Sequence, residues 1–221
     1  MKRRRLSVRF RNDSSLSGAV CLFDTDPDDA KSLPPVAWLT CYAFPTTEVE
    51  FRWEERLSFV WTSTAMDGEA EVATSQLWPT DLATDNQVTL SYGCGTYFFR
   101  DQTRGPQPGI LYIQQDGTLP SEGARVGFGI AGRATNLLPA RPNVTFALKP
   151  RSEYWIAFGH YERGVVIDPA EAPTKARLHF PPNVRTLFAT LGFDNLWTIA
   201  PARGGSRFQR QAGRAKRSPP A

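Results

Sequence analysis

Apolar and polar residues alternate along most of this chain with the period of two that marks a half-buried strand. The pattern is plain in LSVRFR (6–11), VEFRW (49–53), LSFVWTS (57–63), QVTLSYG (87–93), TYFF (96–99) and GILYIQQ (109–115). It continues in NVTFALK (143–149), EYWIAFG (153–159), ARLHF (176–180), RTLFATL (185–191) and LWTI (196–199). More uniformly apolar runs, GAVCLF (18–23), VAWLTCY (36–42), RVGFGI (125–130) and GVVID (164–168), read as strands too. All are short, rich in β-branched and aromatic residues, and bounded by Gly, Pro, Asn or Asp. Nothing sustains an apolar period of 3.6 residues, and Pro169 and Pro173 interrupt the one stretch with Ala and Glu.

The prediction is an all-β protein with little or no helix, built as an antiparallel two-sheet sandwich or jelly-roll. No linker interrupts the middle and no internal repeat is evident. Residues 6–200 are therefore expected to form a single domain, with a basic end at 1–5 and a disordered basic tail at 201–221. Residues 49–61 read as an aromatic hairpin with Glu54-Glu55-Arg56 at its tip. Phe51, Trp53, Phe59 and Trp61 would share one buried face, while Glu50, Arg52 and Ser58 would face out. Asp116-Gly117 is a two-residue hairpin signal, and Phe193-Asp194-Asn195 marks a turn near the end.

Composition sharpens this reading in two ways. Gly (17) and Pro (18) are frequent enough to imply many turns, but too few to imply disorder. Three cysteines, Cys21, Cys41 and Cys94, cannot all pair within one chain, and no metal-type spacing joins them, so free thiols in a reducing compartment are expected, with one disulfide and one spare thiol as the alternative. MKRRRLSVRF has no apolar run behind its basic head, so no signal peptide is expected. No stretch approaches the roughly 20 apolar residues of a membrane helix. The default location is the cytoplasm, with export by a route lacking such a signal left open.

The formal charge of +4 conceals an asymmetry. Residues 1–11 carry six basic residues and no acid, and so do residues 203–221, which leaves −8 on the stretch between them. Basic ends can meet nucleic acid, anionic lipid or an acidic surface. The aromatic residues lie in the acidic body, whereas a single-strand binder would interleave them with basic ones, so nucleic acid is not the expected partner.

Candidate chemistry is sparse. Asp24, Asp26 and Asp28 are spaced like the start of a calcium loop, but the sixth position is Asp29 where glycine is needed and the twelfth is Pro35 where glutamate is needed. GFGIAG (127–132) matches a dinucleotide fingerprint, but RATNLLPARP follows and offers no helix for a pyrophosphate. Close packing or a bulge within a strand explains those glycines better. Glu69 and Glu71 would share a strand face at glycosidase-like separation, as any E-x-E on a strand does. Cys94 with His160 or His179 could form a nucleophile pair only if the fold brings them together. The residues nominate no catalytic, cofactor-binding or metal site beyond that weak calcium pattern, and no cofactor is called for.

The stretches LSVRFRNDSSLSGAVCLFDTDPD, AWLTCYAFPTTEVEFRW, LSFVWTST, GILYIQQDGTLP, VGFGIAG and YWIAFG, in that order, resemble the RhiA-like proteins, a bacterial family named for a rhizosphere-expressed protein. The resemblance covers most of residues 6–199. It implies a bacterial protein linked to life around plant roots, in some members under quorum-sensing control, and it brings no catalytic residues. The first expectation is a non-enzymatic binding or assembly protein whose partner is a glycan, another protein or its own copies. The alternatives are a carbohydrate-active hydrolase on a jelly-roll, and a nucleic-acid or anionic-surface binder acting through the basic ends.

Overall fold

A computed structural model describes residues 4–25, 35–67, 70–151, 153–167 and 174–202, with the side chains of 65–72 left undescribed. The described residues form sixteen strands and no helix. The first half holds β1 (Arg5–Asn12), β2 (Gly18–Phe23), β3 (Leu39–Ala43), β4 (Glu48–Glu54), β5 (Leu57–Asp67), β6 (Ala70–Pro79), β7 (Gln87–Gly93) and β8 (Thr96–Thr103). The second half holds β9 (Leu111–Gln115), β10 (Ala124–Ile130), β11 (Arg133–Pro139), β12 (Val144–Leu148), β13 (Tyr154–Gly159), β14 (Lys175–Leu178), β15 (Thr186–Leu191) and β16 (Trp197–Pro201).

The strands form four sheets of four, in the orders β16-β15-β1-β4, β14-β13-β2-β3, β11-β10-β5-β6 and β12-β9-β7-β8. Pairing is antiparallel except for β1 with β15 and β7 with β9. The all-β expectation holds, but there are four sheets where the sequence suggested two. One apolar cluster draws Leu6, Val8 and Phe10 of β1, Phe51 and Trp53 of β4 and Leu187 of β15 together with Val20, Leu22, Ile156 and Phe158 of the β14-β13-β2-β3 sheet. A second unites Phe59 and Trp61 of β5 and Val126 and Phe128 of β10 with Val88, Leu90, Leu111 and Ile113 of the β12-β9-β7-β8 sheet.

The aromatic stretch 49–61 is therefore not a hairpin. β4 pairs with β1, β5 pairs with β6 and β10, and Glu54-Glu55-Arg56 is a crossover between the two cores. Phe51 and Trp53 serve one core, and Phe59 and Trp61 the other. The expectation that these rings are interior stands: Trp53 is 5% exposed and Trp61 4%. Glu50 and Arg52 face out as expected, whereas Ser58 is buried. Asp116-Gly117 is likewise no hairpin, because β9 pairs with β12 and β7 and the chain then leaves for β10 in another sheet. The Phe193-Asp194-Asn195 turn does join an antiparallel pair, β15 and β16. Residues 164–167 make only an isolated bridge, Val36 with Val166, in place of the predicted strand.

The strand order reveals a repeat that the sequence does not display. Counted from β13 through the chain ends to β4, eight strands occupy the same places as β5 through β12. β15 is parallel to β1 as β7 is to β9, β1 pairs β4 as β9 pairs β12, and β13 pairs β2 as β5 pairs β10. Equivalent side chains match where the architecture is most demanding. Asn12 and Gln115 are buried polar residues at the same strand end, opposite Leu191 and Leu90. Ala43-Phe44-Pro45-Thr46 matches Ala140-Arg141-Pro142-Asn143, with Thr46 and Asn143 both left-handed at φ 66° and 59°. The permuted order hides the repeat from a linear reading.

Candidate functional site

The segment 160–167 lies across the outer face of the β14-β13-β2-β3 sheet. Strand alternation sends Val20 and Leu22 into the first core and leaves Cys21 and Phe23 on the opposite face. There they pack with Ala37, Ala157 and Ile167, and with half-buried Trp155 and Tyr161. This cover stops short of one end of the sheet. The row at that end runs Gly159, Ala19, Tyr42 across β13, β2 and β3. The Tyr161 ring rests over Gly159, 3.4 Å from where a Cβ there would sit, so Ala19 floors the gap and Tyr42 stands at its far side, 55% exposed. His160, Tyr161, Glu162 and Val165 complete a groove of about 380 Å³. Tyr42 is braced by Phe44, ring centroids 5.1 Å apart.

This arrangement combines tyrosine rings, a carboxylate, an imidazole and a small-residue floor. Rings of this kind take the C–H face of a pyranose, and the polar groups take its hydroxyls. Tyr161 and Val165 come from a loop, although the sequence pattern predicts a strand over 164–168 that includes Val165. Cys41 and Tyr42, consecutive residues of the edge strand β3, are both exposed, and no feature of the sequence singles out Tyr42.

A second groove, about 360 Å³, opens where the two cores meet and is lined by Ala37, Trp38, Arg133, Ala134, Arg163 and Gly164. Beneath this junction the contacts are dense. Val36 N–H donates to Thr135 O (3.0 Å), Trp38 Nε1 donates to Ile130 O (3.1 Å), and Val36, Val60 and Leu137 pack together.

Asp24, one of the calcium candidates, is only 1% exposed, and both of its carboxylate oxygens accept from Asn136 Nδ2 at 2.8 Å. Asp26 and Asp28 lie outside the described residues. Burial pushes the Asp24 carboxyl up to about 6, against hydrogen bonds from Thr135 and Asn136 that favour its ionised form. A carboxyl whose pKa rises on folding stabilises the fold when protonated, so its contribution is fullest below the ordinary value of 3.8 and is lost as pH rises through about 6. The shift corresponds to about 3 kcal/mol. Asp24→Asn should therefore gain stability relative to wild type by up to this amount between pH 4 and pH 7. Urea unfolding of both proteins across that range checks it, and a difference that does not vary with pH would contradict the shift.

The other candidates are not brought together. Cys94 sits in the β7–β8 turn at φ 52°, whereas His160 and His179 follow β13 and β14 in a sheet of the other core. Cys21, Cys41 and Cys94 are unpaired. Glu71 stands opposite Met66 on the β5–β6 hairpin, and Glu69 lies outside the described residues. Gly127 and Gly129 lie on β10, closely packed on β11 with a register shift at Phe128/Gly129, as expected of close packing or a bulge within a strand, and the chain turns into β11 at Ala131-Gly132. Among the described residues no three of His, Cys, Asp or Glu gather as a metal site.

These features define an all-β protein of four four-stranded sheets with a ring-walled surface groove. The chain belongs to the RhiA family, whose model matches residues 4–202. It is similar to Protein RhiA of Rhizobium leguminosarum bv. viciae, with 25% identity over 201 residues, covering 89% of this chain and 86% of the relative. No solved structure matches.

Proposed function

We propose that this protein is a non-enzymatic binding protein that holds a sugar in the groove between Tyr42 and Tyr161. The observation that carries the proposal is the gap over Ala19, between the Tyr161 ring resting on Gly159 and the exposed Tyr42 ring, on a sheet face that is covered elsewhere. The groove is large enough for one or two sugar rings. Its polar groups, His160 and Glu162, are both exposed, which suits hydrogen bonding to hydroxyls better than proton transfer at a dry centre. A relative from Rhizobium leguminosarum supports placing this binding in bacterial association with a plant host.

A glycan array, run with and without calcium, tests the proposal first. Binding to one sugar class should fall about tenfold or more in Tyr42→Ala, with the melting temperature unchanged because the ring is mostly exposed. Binding that survives both Tyr42→Ala and His160→Ala, or no binding to any glycan in either condition, would refute it.

A further inference from the structure

Asn12 gathers three loops at one end of the first core. Its Nδ2 donates to Leu16 O (2.8 Å) and Ala43 O (3.3 Å), its backbone N–H donates to Thr47 O, and the next residue's N–H donates to Leu191 O. The loops 13–17, 44–47 and 192–196 thus leave the same end of the sheet within about two strand spacings, roughly 10 Å. Each exposes large apolar side chains: Leu16 at 47%, Phe44 at 62%, Phe193 at 81% and Leu196 at 66%.

The fold does not require this. At the equivalent end of the second core, around Gln115, Arg141 takes the place of Phe44. The loop after β9 there presents Asp116 and Thr118, hydrogen-bonded to each other, with Arg100 paired to Asp116 at 3.0 Å. One chain therefore builds the same end twice, once polar and once apolar. Side chains on loop tips, not on a flat face, suit insertion into a soft apolar medium better than docking on a rigid protein surface.

A second feature points to the same medium. The chain beyond residue 202 carries six basic residues and no acid. β16 starts at the apolar end and runs away from it, so this segment begins about four strand residues, roughly 13 Å, behind the tip. Its 19 residues could span as much as about 60 Å when extended, enough to return to the plane of the tip. Stable attachment of a peripheral protein takes two such signals, an apolar insertion and a polybasic segment. At the tip Arg11 is paired with Asp13 and Glu48, and Asp194 adds a further acid, so cationic attraction has to come from that segment.

We infer that the protein docks on an anionic lipid bilayer, inserting Leu16, Phe44, Phe193 and Leu196 while residues 203–221 bind the lipid headgroups. Sedimentation of the full chain with vesicles of phosphatidylcholine alone, or with about one third phosphatidylglycerol, tests this. Binding should appear with the mixed vesicles, weaken with added salt, and fall about tenfold in Phe193→Asp/Leu196→Asp and again in the 203–221 deletion. Phe193 and Leu196 are exposed, so the double variant should keep the wild-type melting temperature. No binding to the mixed vesicles would overturn the inference. So would binding untouched by the double variant, which would leave a polybasic segment acting alone, or tighter binding to duplex DNA than to the vesicles. Glycan binding through Tyr42 stands or falls separately, because neither lipid variant alters the groove.

Discussion

Gly127→Ala and Gly129→Ala are each expected to destabilise the protein by about 3 kcal/mol or more, at the upper end of overpacking substitutions. A Cβ on Gly127 would sit 2.0 Å from the carbonyl oxygen of Asn136, and one on Gly129 would sit 2.2 Å from that of Arg133. Both obstacles are backbone on the partner strand β11, so no rotamer change relieves them. The sheet would have to part at the bulge that joins Phe128 and Gly129. Gly132, in the same hairpin, is the control: it is left-handed at φ 75° and a Cβ there meets nothing within 4 Å. Gly132→Asn keeps a residue that tolerates that conformation and should change stability by only about 0.5 kcal/mol. Urea unfolding separates the cases. A Gly127→Ala protein as stable as Gly132→Asn would mean that β10 and β11 do not approach as described.

The same pair of glycines shows what a sequence can and cannot convey. That GFGIAG was strand and not a nucleotide loop was legible, because no helix-forming stretch follows it. Strand existence was legible wherever alternation was strong. β6 was missed because AEVATSQLWP is a polar edge strand, and β11 because RATNLLP does not alternate apolar with polar residues. Alternation assigns a face, but it does not say which sheet owns that face. This is why the mirror-like 49–61 stretch looked like one hairpin when its halves feed separate cores. The groove was less legible still. Ala19, Tyr42 and Gly159 lie on three strands whose order depends on long-range pairing, which leaves no local trace in the sequence. Asn12 and Gln115 were hidden for a different reason: a buried polar residue at a strand end reads as a turn until its carbonyl partners are known.

Trp38→Ala should lower stability by about 3–5 kcal/mol and change the form of unfolding as well as its midpoint. The side chain is 1% exposed and packs against Trp53 (centroids 5.4 Å apart) and Tyr154 (6.1 Å). Its Nε1 donates to Ile130 O on β10, a strand that belongs to the other pair of sheets. Truncation therefore opens a cavity in the first core and leaves a buried carbonyl of β10 without its donor. Wild type is expected to unfold in one cooperative transition, because Trp38, the Asp24–Asn136 contact and the Val36–Val60–Leu137 cluster join the two cores. With the first of these ties cut, the second core, contiguous in sequence from β5 to β12, should persist after the first has melted. Trp61→Ala is the matched comparison, since that ring is equally buried but donates to Gln76 within its own sheet. It should cost a similar amount without splitting the transition. Near- and far-ultraviolet circular dichroism against urea reads both effects. If Trp38→Ala loses stability in a single transition, the junction holds through its remaining contacts. If wild type already shows two transitions, the cores fold independently and Trp38 serves only its own.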